Sequence, residues 1–122
     1  MKLVTAIVRS EKLDEIIDAV LASHGKGLTV TAVRGFGQQF GVLAGWMPGA
    51  TPAEDDSPRR RRAVLLNKVR LDILVADEDA QGMVEAIGKH ARTGGIGDGK
   101  IWVCPVESAL RVRTGERDSD AV

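Results

Sequence analysis

Several things are scarce in this 122-residue chain, and each scarcity closes a class of function. There is no tyrosine, so no modification that needs a phenol can occur. Two tryptophans and two phenylalanines are the only aromatics. A sheet that stacks nucleic-acid bases needs aromatics on its strands, and only Trp102 and Phe36 are placed to serve. The single cysteine, Cys104, rules out an intrachain disulfide and suits a reducing cytoplasm. Within its apolar strand it is expected to be an inert core thiol. Lys+Arg and Asp+Glu are both 17, so the net charge is zero and no global field favours nucleic acid. No apolar run approaches the roughly 18 residues a bilayer span requires, and the first residues do not read as a signal peptide. A cytoplasmic protein of one domain is expected, meeting a membrane only through a partner.

What is present is ordered periodicity at both ends. Residues 2–8, KLVTAIV, read as a buried strand. A helix follows, with Ser10 as its N-cap, Leu13, Ile16, Ile17, Val20 and Leu21 at helical spacing, and Gly25 as its stop. Residues 28–36 alternate like a strand. Residues 64–76 form a third strand, with Val69, Leu71, Ile73 and Val75 opposite Lys68, Arg70 and Asp72. A second helix spans about 79–92, capped by Asp77 or Asp79, with Met83, Val84, Ile87 and Ala91 as its stripe. A last strand, KIWVCPV, leads to a polar tail whose final residues, 118–122, are expected to fray.

The middle differs. Residues 37–66 contain glycines, prolines, the acidic triplet Glu54-Asp55-Asp56 and four consecutive arginines, Arg59–Arg62. They carry neither period, and structureless segments of this length are usually functional or disordered. The order β-α-β, loop, β-α-β predicts an α+β, ferredoxin-like split βαβ fold over 1–117 (βαββαβ), an antiparallel sheet with both helices on one face. The other face needs a cover, and oligomerisation supplies the simplest one.

Two stretches carry chemistry. ARTGGIGDGKI, residues 91–101, fits the spacing of a Walker phosphate loop up to Lys100, but Ile101 stands where Ser or Thr would hold magnesium. It also follows a helix and precedes a strand, the reverse of a Walker loop. Two readings remain on local grounds: a helix C-cap plus turn, or a glycine nest whose backbone N–H groups and Lys100 hold an anion. In LRVRTGER, Arg111 and Arg113 project to one side and form a phosphate clamp or a solvated edge. The chain offers no Ser/His/Asp set, no metal cluster and no base beside a phosphate site, so no enzyme is expected.

Taken together, MKLVTAIVRSEKLDEIIDAV, GLTVTAVRGFGQQFG and ARTGGIGDGKIWVCPVESALRVRTGER closely resemble the PII nitrogen-regulatory signal-transduction proteins. The resemblance covers the chain outside about 42–66. It implies a homotrimer with ATP or ADP in each cleft between subunits. Within a phosphate-binding turn at residues 93–100, backbone from Gly94, Gly97 and Gly99, with Ile96 and Asp98, and the Lys100 side chain would hold the phosphates, and Arg111 and Arg113 would reach them from the neighbouring subunit. Ile7 and Thr29 would lie near base and ribose, and Gly37 and Gln38 would close the site. Gln39 would ligate magnesium alongside ATP and 2-oxoglutarate, with Gly41 and Lys68 completing the effector site. An amide oxygen suits magnesium and an ammonium suits a carboxylate. Residues 42–66 correspond to the T-loop, which contacts targets such as an ammonium channel or a nitrogen-metabolism enzyme, and a transporter could draw the protein to the membrane.

Departures from the family pattern are also legible. The T-loop is long and lacks the family's TELYRGAEY-like core, and without tyrosine its uridylylation or adenylylation is excluded. Gln38 and Gly95 stand where relatives often carry basic residues, which lowers the local positive charge. The alternative these departures motivate is a divergent PII-like sensor that binds nucleotide with another small effector, such as bicarbonate, and serves a different transporter or enzyme.

Overall fold

A computed structural model describes residues 1–35 and 65–122. The elements are β1 (Lys2–Arg9), α1 (Leu13–Ala22), β2 (Thr29–Gly35), β3 (Leu66–Val75), α2 (Ala80–Ala91) and β4 (Gly99–Pro105). The strands form one antiparallel sheet in the order β2-β3-β1-β4, the ferredoxin-like arrangement expected from the sequence.

Strand parity decides what is buried. Val4, Ala6 and Val8 of β1 and Val69, Leu71, Ile73 and Val75 of β3 face the helices. They pack with Ile16, Ala19 and Val20 of α1 and Ala80, Met83, Ile87 and Ala91 of α2. Fully burying one such aliphatic side chain stabilises by roughly 1.5–3 kcal/mol, so this single layer carries the fold.

The helix starts differ in detail from the sequence reading. Ser10 opens a 3-10 turn, Ser10–Lys12, and caps nothing with its side chain. Asp79 occupies the N-cap of α2 without a side-chain bond, while Asp77 pairs with the Met1 ammonium at 2.9 Å. In the tail, Asp118–Ala121 form a 3-10 turn, and Lys26 Nζ donates to a Val122 carboxylate oxygen at 2.6 Å.

Among the described residues, no helix lies on the opposite sheet face. Cross-strand register sets two rows there, Thr29–Asp72–Thr5–Trp102 and Thr31–Arg70–Ile7–Lys100. Arg70 grips Asp72 with two bonds, 2.8 and 3.0 Å, and the Thr5 hydroxyl donates to the same carboxylate at 2.7 Å. The Arg70 hydrogen bond is the main reason the Asp72 carboxyl is held below its ordinary range, with Thr5 adding to it against partial burial. Cys104 also lies on this face, opposite Leu3, and is exposed, contrary to the core position expected of it. The cause is that β4 is an edge strand, and both of its faces are thinly covered.

Candidate functional site

The glycine-rich turn, residues 93–98, joins α2 to β4 and is built around an internal anion. The Asp98 carboxylate accepts from the Thr93 N–H at 2.8 Å, the Gly94 N–H at 2.8 Å, the Thr93 hydroxyl and Arg9 Nε at 3.0 Å. Gly94 and Gly97 adopt left-handed φ values of 86° and 99°, which allow the chain to wrap a carboxylate this closely. The Thr93 hydroxyl chiefly, then the Thr93 N–H, Arg9 and the Gly94 N–H, hold the Asp98 carboxyl far below its usual range in spite of partial desolvation.

Two cations tie the turn to the sheet. Arg9 Nη2 donates to the Ile96 carbonyl at 2.7 Å, and Lys68 Nζ donates to the Gly97 carbonyl at 2.6 Å. Arg9 and Lys68 are direct cross-strand partners on β1 and β3. Like charges placed so are unfavourable on their own. The turn offsets this by presenting two carbonyls and a carboxylate to the pair. Burial first, and the neighbouring Arg9 charge second, push the Lys68 ammonium below its ordinary pKa.

Beyond the turn, the chain enters β4 through Gly99. Its φ is 104°, and a Cβ there would run into the Ile7 carbonyl oxygen. Lys100 follows, directly opposite Ile7 on the open face. Its side chain makes no ion pair among the described residues.

The arginine motif is a separate hairpin. Leu110 bridges Arg117, the Arg111 N–H donates to the Glu116 carbonyl at 2.8 Å, and the Gly115 N–H donates to the Arg111 carbonyl at 2.8 Å. Glu116 accepts from the Arg111 guanidinium and from the Thr114 hydroxyl, the latter at 2.7 Å. Arg113 has no ion pair among the described residues, and Val112 beside it is 93% exposed.

Where the two motifs sit decides how they can cooperate. Gly99 pairs with Val8 at one end of β1, and Pro105 pairs with Lys2 at the other. The hairpin is rooted past Pro105, where the Val106 N–H donates to the Met1 carbonyl at 3.2 Å. The length of β4 therefore separates the turn from the root of the hairpin, about 20 Å at 3.3 Å per residue.

Comparison with known proteins places this arrangement. The family model described as Nitrogen regulatory protein P-II matches residues 1–116. The chain is 43% identical over its full 122 residues to Nitrogen regulatory protein P-II 2 of Methanothermobacter thermautotrophicus, covering 97% of that protein. It is also 43% identical to Nitrogen regulatory protein P-II of Cereibacter sphaeroides and 41% identical to that of Rhizobium meliloti, covering each completely. The chain belongs to the P-II family.

In this P-II chain, Ile7, Lys68 and the segment Ile96, Gly97, Asp98, Gly99 and Lys100 gather at one end of the sheet. Thr29 is placed elsewhere, across β3 from Thr5, about 10 Å away by strand spacing. Arg111 and Arg113 are rooted at the far end. Gly37, Gln38, Gln39 and Gly41, with residues 42–64 of the T-loop, lie outside the described residues, while Leu66, expected to end that loop, opens β3. The Gly94 N–H is turned inward to Asp98, whose carboxylate shapes the turn. Arg9 and Thr93 were not singled out from sequence. Arg9 shares strand parity with Ile7 and faces Lys68 across the strands, and that like-charge pair was the available signal. No group of three or more His, Cys, Asp or Glu among the described residues could hold a metal ion, so they provide no cage for magnesium. No helix among them is long and apolar enough to cross a membrane.

Proposed function

We propose that this P-II chain is a cytoplasmic, non-catalytic sensor of ATP and ADP, and of 2-oxoglutarate, that works as a homotrimer. The observation that carries this reading is the separation of the glycine turn, which leads into β4 at Gly99, from the arginine hairpin, which follows β4 beyond Pro105. One chain holds a glycine turn with Lys100, and at its other end two arginines. A phosphate chain that needs both is best served by the turn of one copy and the hairpin of the next. The open sheet face, with Leu3, Ile7, Trp102 and Cys104 among its polar rows, offers surface for the subunits to share.

Each residue has a physical task in this reading. The turn's backbone and Lys100 bind phosphate oxygens, and Arg111 and Arg113 neutralise them from the neighbour. Ile7 packs beneath the ligand. Gln39 would hold a magnesium ion accompanying ATP, and that ion would neutralise phosphate charge. Lys68 meets the effector carboxylate with Gln39 and Gly41. Because Lys68 also holds the Gly97 carbonyl, effector and nucleotide sites share one ammonium. Their ligands bias the loop at residues 42–66, and a target such as an ammonium channel or nitrogen-metabolism enzyme reads its state.

Calorimetric titration with ATP and ADP, with and without magnesium and 2-oxoglutarate, tests the reading, together with light scattering for oligomer size. One nucleotide per chain, bound by trimer, is expected. Absence of nucleotide binding overturns it. Bicarbonate binding in place of 2-oxoglutarate would move the protein to the divergent-sensor alternative. Lys68→Ala should weaken 2-oxoglutarate binding more than ADP binding, and an unchanged 2-oxoglutarate affinity would remove Lys68 from the effector site.

A further inference from the structure

The turn's orientation follows from two residues outside any phosphate motif. All described peptide bonds are trans, and in a planar trans peptide the C=O and the following N–H point in opposite directions. Arg9 Nη2 holds the Ile96 carbonyl and Lys68 Nζ holds the Gly97 carbonyl. The Gly97 and Asp98 N–H groups, which belong to those same two peptide units, must therefore face away from the two cations. In an extended chain successive carbonyls alternate. Here Gly97, with φ of 99°, stands between the two units and lets both carbonyls turn to the sheet. The result is a pair of N–H dipoles pointing away from the two cations, a few residues before Lys100 in the chain, a pairing that suits an oxyanion.

Arg9 also fixes the other side of the turn. Its Nε holds the Asp98 carboxylate, which in turn collects the Thr93 and Gly94 N–H groups and the Thr93 hydroxyl. One guanidinium thus spans two anchor points, the Asp98 side chain and the Ile96 backbone. A lysine ammonium at this position could keep the charge but not the fork.

We propose that Arg9 is a positioning residue for anion binding by the glycine turn, aiming the Gly97 and Asp98 N–H groups outward through its simultaneous hold on Asp98 and the Ile96 carbonyl, with Lys68 as the second anchor. This inference rests on the nucleotide reading above and extends it to a side chain that does not itself touch the phosphates.

The test is calorimetric titration of wild type, Arg9→Gln and Arg9→Lys with ATP and with inorganic tripolyphosphate. Wild type is expected to bind both. Arg9→Gln should lose about tenfold or more for both ligands, the size of effect expected from misaligned donors, and Arg9→Lys should recover only a minor part. Equal affinities in wild type and Arg9→Gln would overturn the positioning role, and so would full recovery by Arg9→Lys, which would reduce the effect to charge. Wild type binding neither ligand would overturn the nucleotide reading and this inference together. Lys68→Met releases the Gly97 carbonyl instead and should lower tripolyphosphate affinity by a smaller factor. It keeps the inference testable should Arg9→Gln fail to fold, and an unchanged tripolyphosphate affinity there would count against it.

Discussion

The glycine turn and the arginine hairpin look alike in sequence, each a short run of glycine, threonine and charge, yet they are anchored in opposite ways. The turn is held from outside. Arg9 from β1 and Lys68 from β3 reach into it, and its own carboxylate faces inward. The hairpin holds itself, since Arg111, Thr114 and Glu116 satisfy one another within six residues. A motif wired to the sheet responds to whatever moves the sheet or competes for its cations. A self-contained motif keeps its shape and can be carried to another molecule intact. In the proposed trimer those properties suit a sensing half and a delivered half of one site.

The sharpest way to break the contrast is at its glycines. Gly99→Ala combines a left-handed φ with a backbone collision at Ile7, and should destabilise by roughly 3 kcal/mol or more in urea unfolding. A loss under about 1 kcal/mol would mean β4 can slide away from β1. Acid comes next. The Asp98 carboxyl has a folded pKa below its unfolded value of about 3.9. Its contribution is therefore complete above about pH 4 and fades as pH falls through the folded value. Backbone NMR should show the Thr93 and Gly94 amides keeping their shifts down to pH 4 and losing them only in stronger acid, and Asp98→Asn should abolish that late transition. Early loss, above pH 5, would contradict an inward carboxylate.

In the hairpin, Gly115 has a left-handed φ of 74° but open space around its missing Cβ. Gly115→Ala should therefore cost only about 1 kcal/mol. The smallest effect is expected from Glu116→Gln. Arg111 and Glu116 are both partly exposed, and such pairs contribute about 0–1 kcal/mol. The melting temperature should barely move, and a fall of several degrees would show that the hairpin depends on this pair more than a surface ion pair allows.

Much of this was legible in the sequence. The two βαβ halves were readable because Val69, Leu71, Ile73 and Val75 alternate, and because Met83, Ile87 and Ala91 repeat at helical spacing. The glycines and arginines of the site were readable as motifs. What escaped was direction. Nothing local says that Asp98 points inward while Lys100, two residues on, lies on the open face. That follows from β1–β4 register and from the partner Arg9, about ninety positions away. Cys104 was misplaced for a related reason, since an apolar strand reads as buried until its position at the sheet edge is known. Arg9 sits at the end of a strand, where a lone arginine resembles any solvated charge, and only its pairing opposite Lys68 marks it as unusual.

The placement of turn and hairpin at opposite ends of β4 has a consequence for mixtures of copies. In the proposed ring of three, with each turn meeting the next copy's hairpin, a subunit crippled at Lys100 would still lend good arginines, and one crippled at Arg111 would still offer a good turn. Neither variant alone forms an intact pocket. Any ring containing both must have one junction where a sound turn meets a sound hairpin, so every hybrid ring regains one working pocket of its three. Two inactive variants unfolded and refolded together would then restore binding that neither has alone.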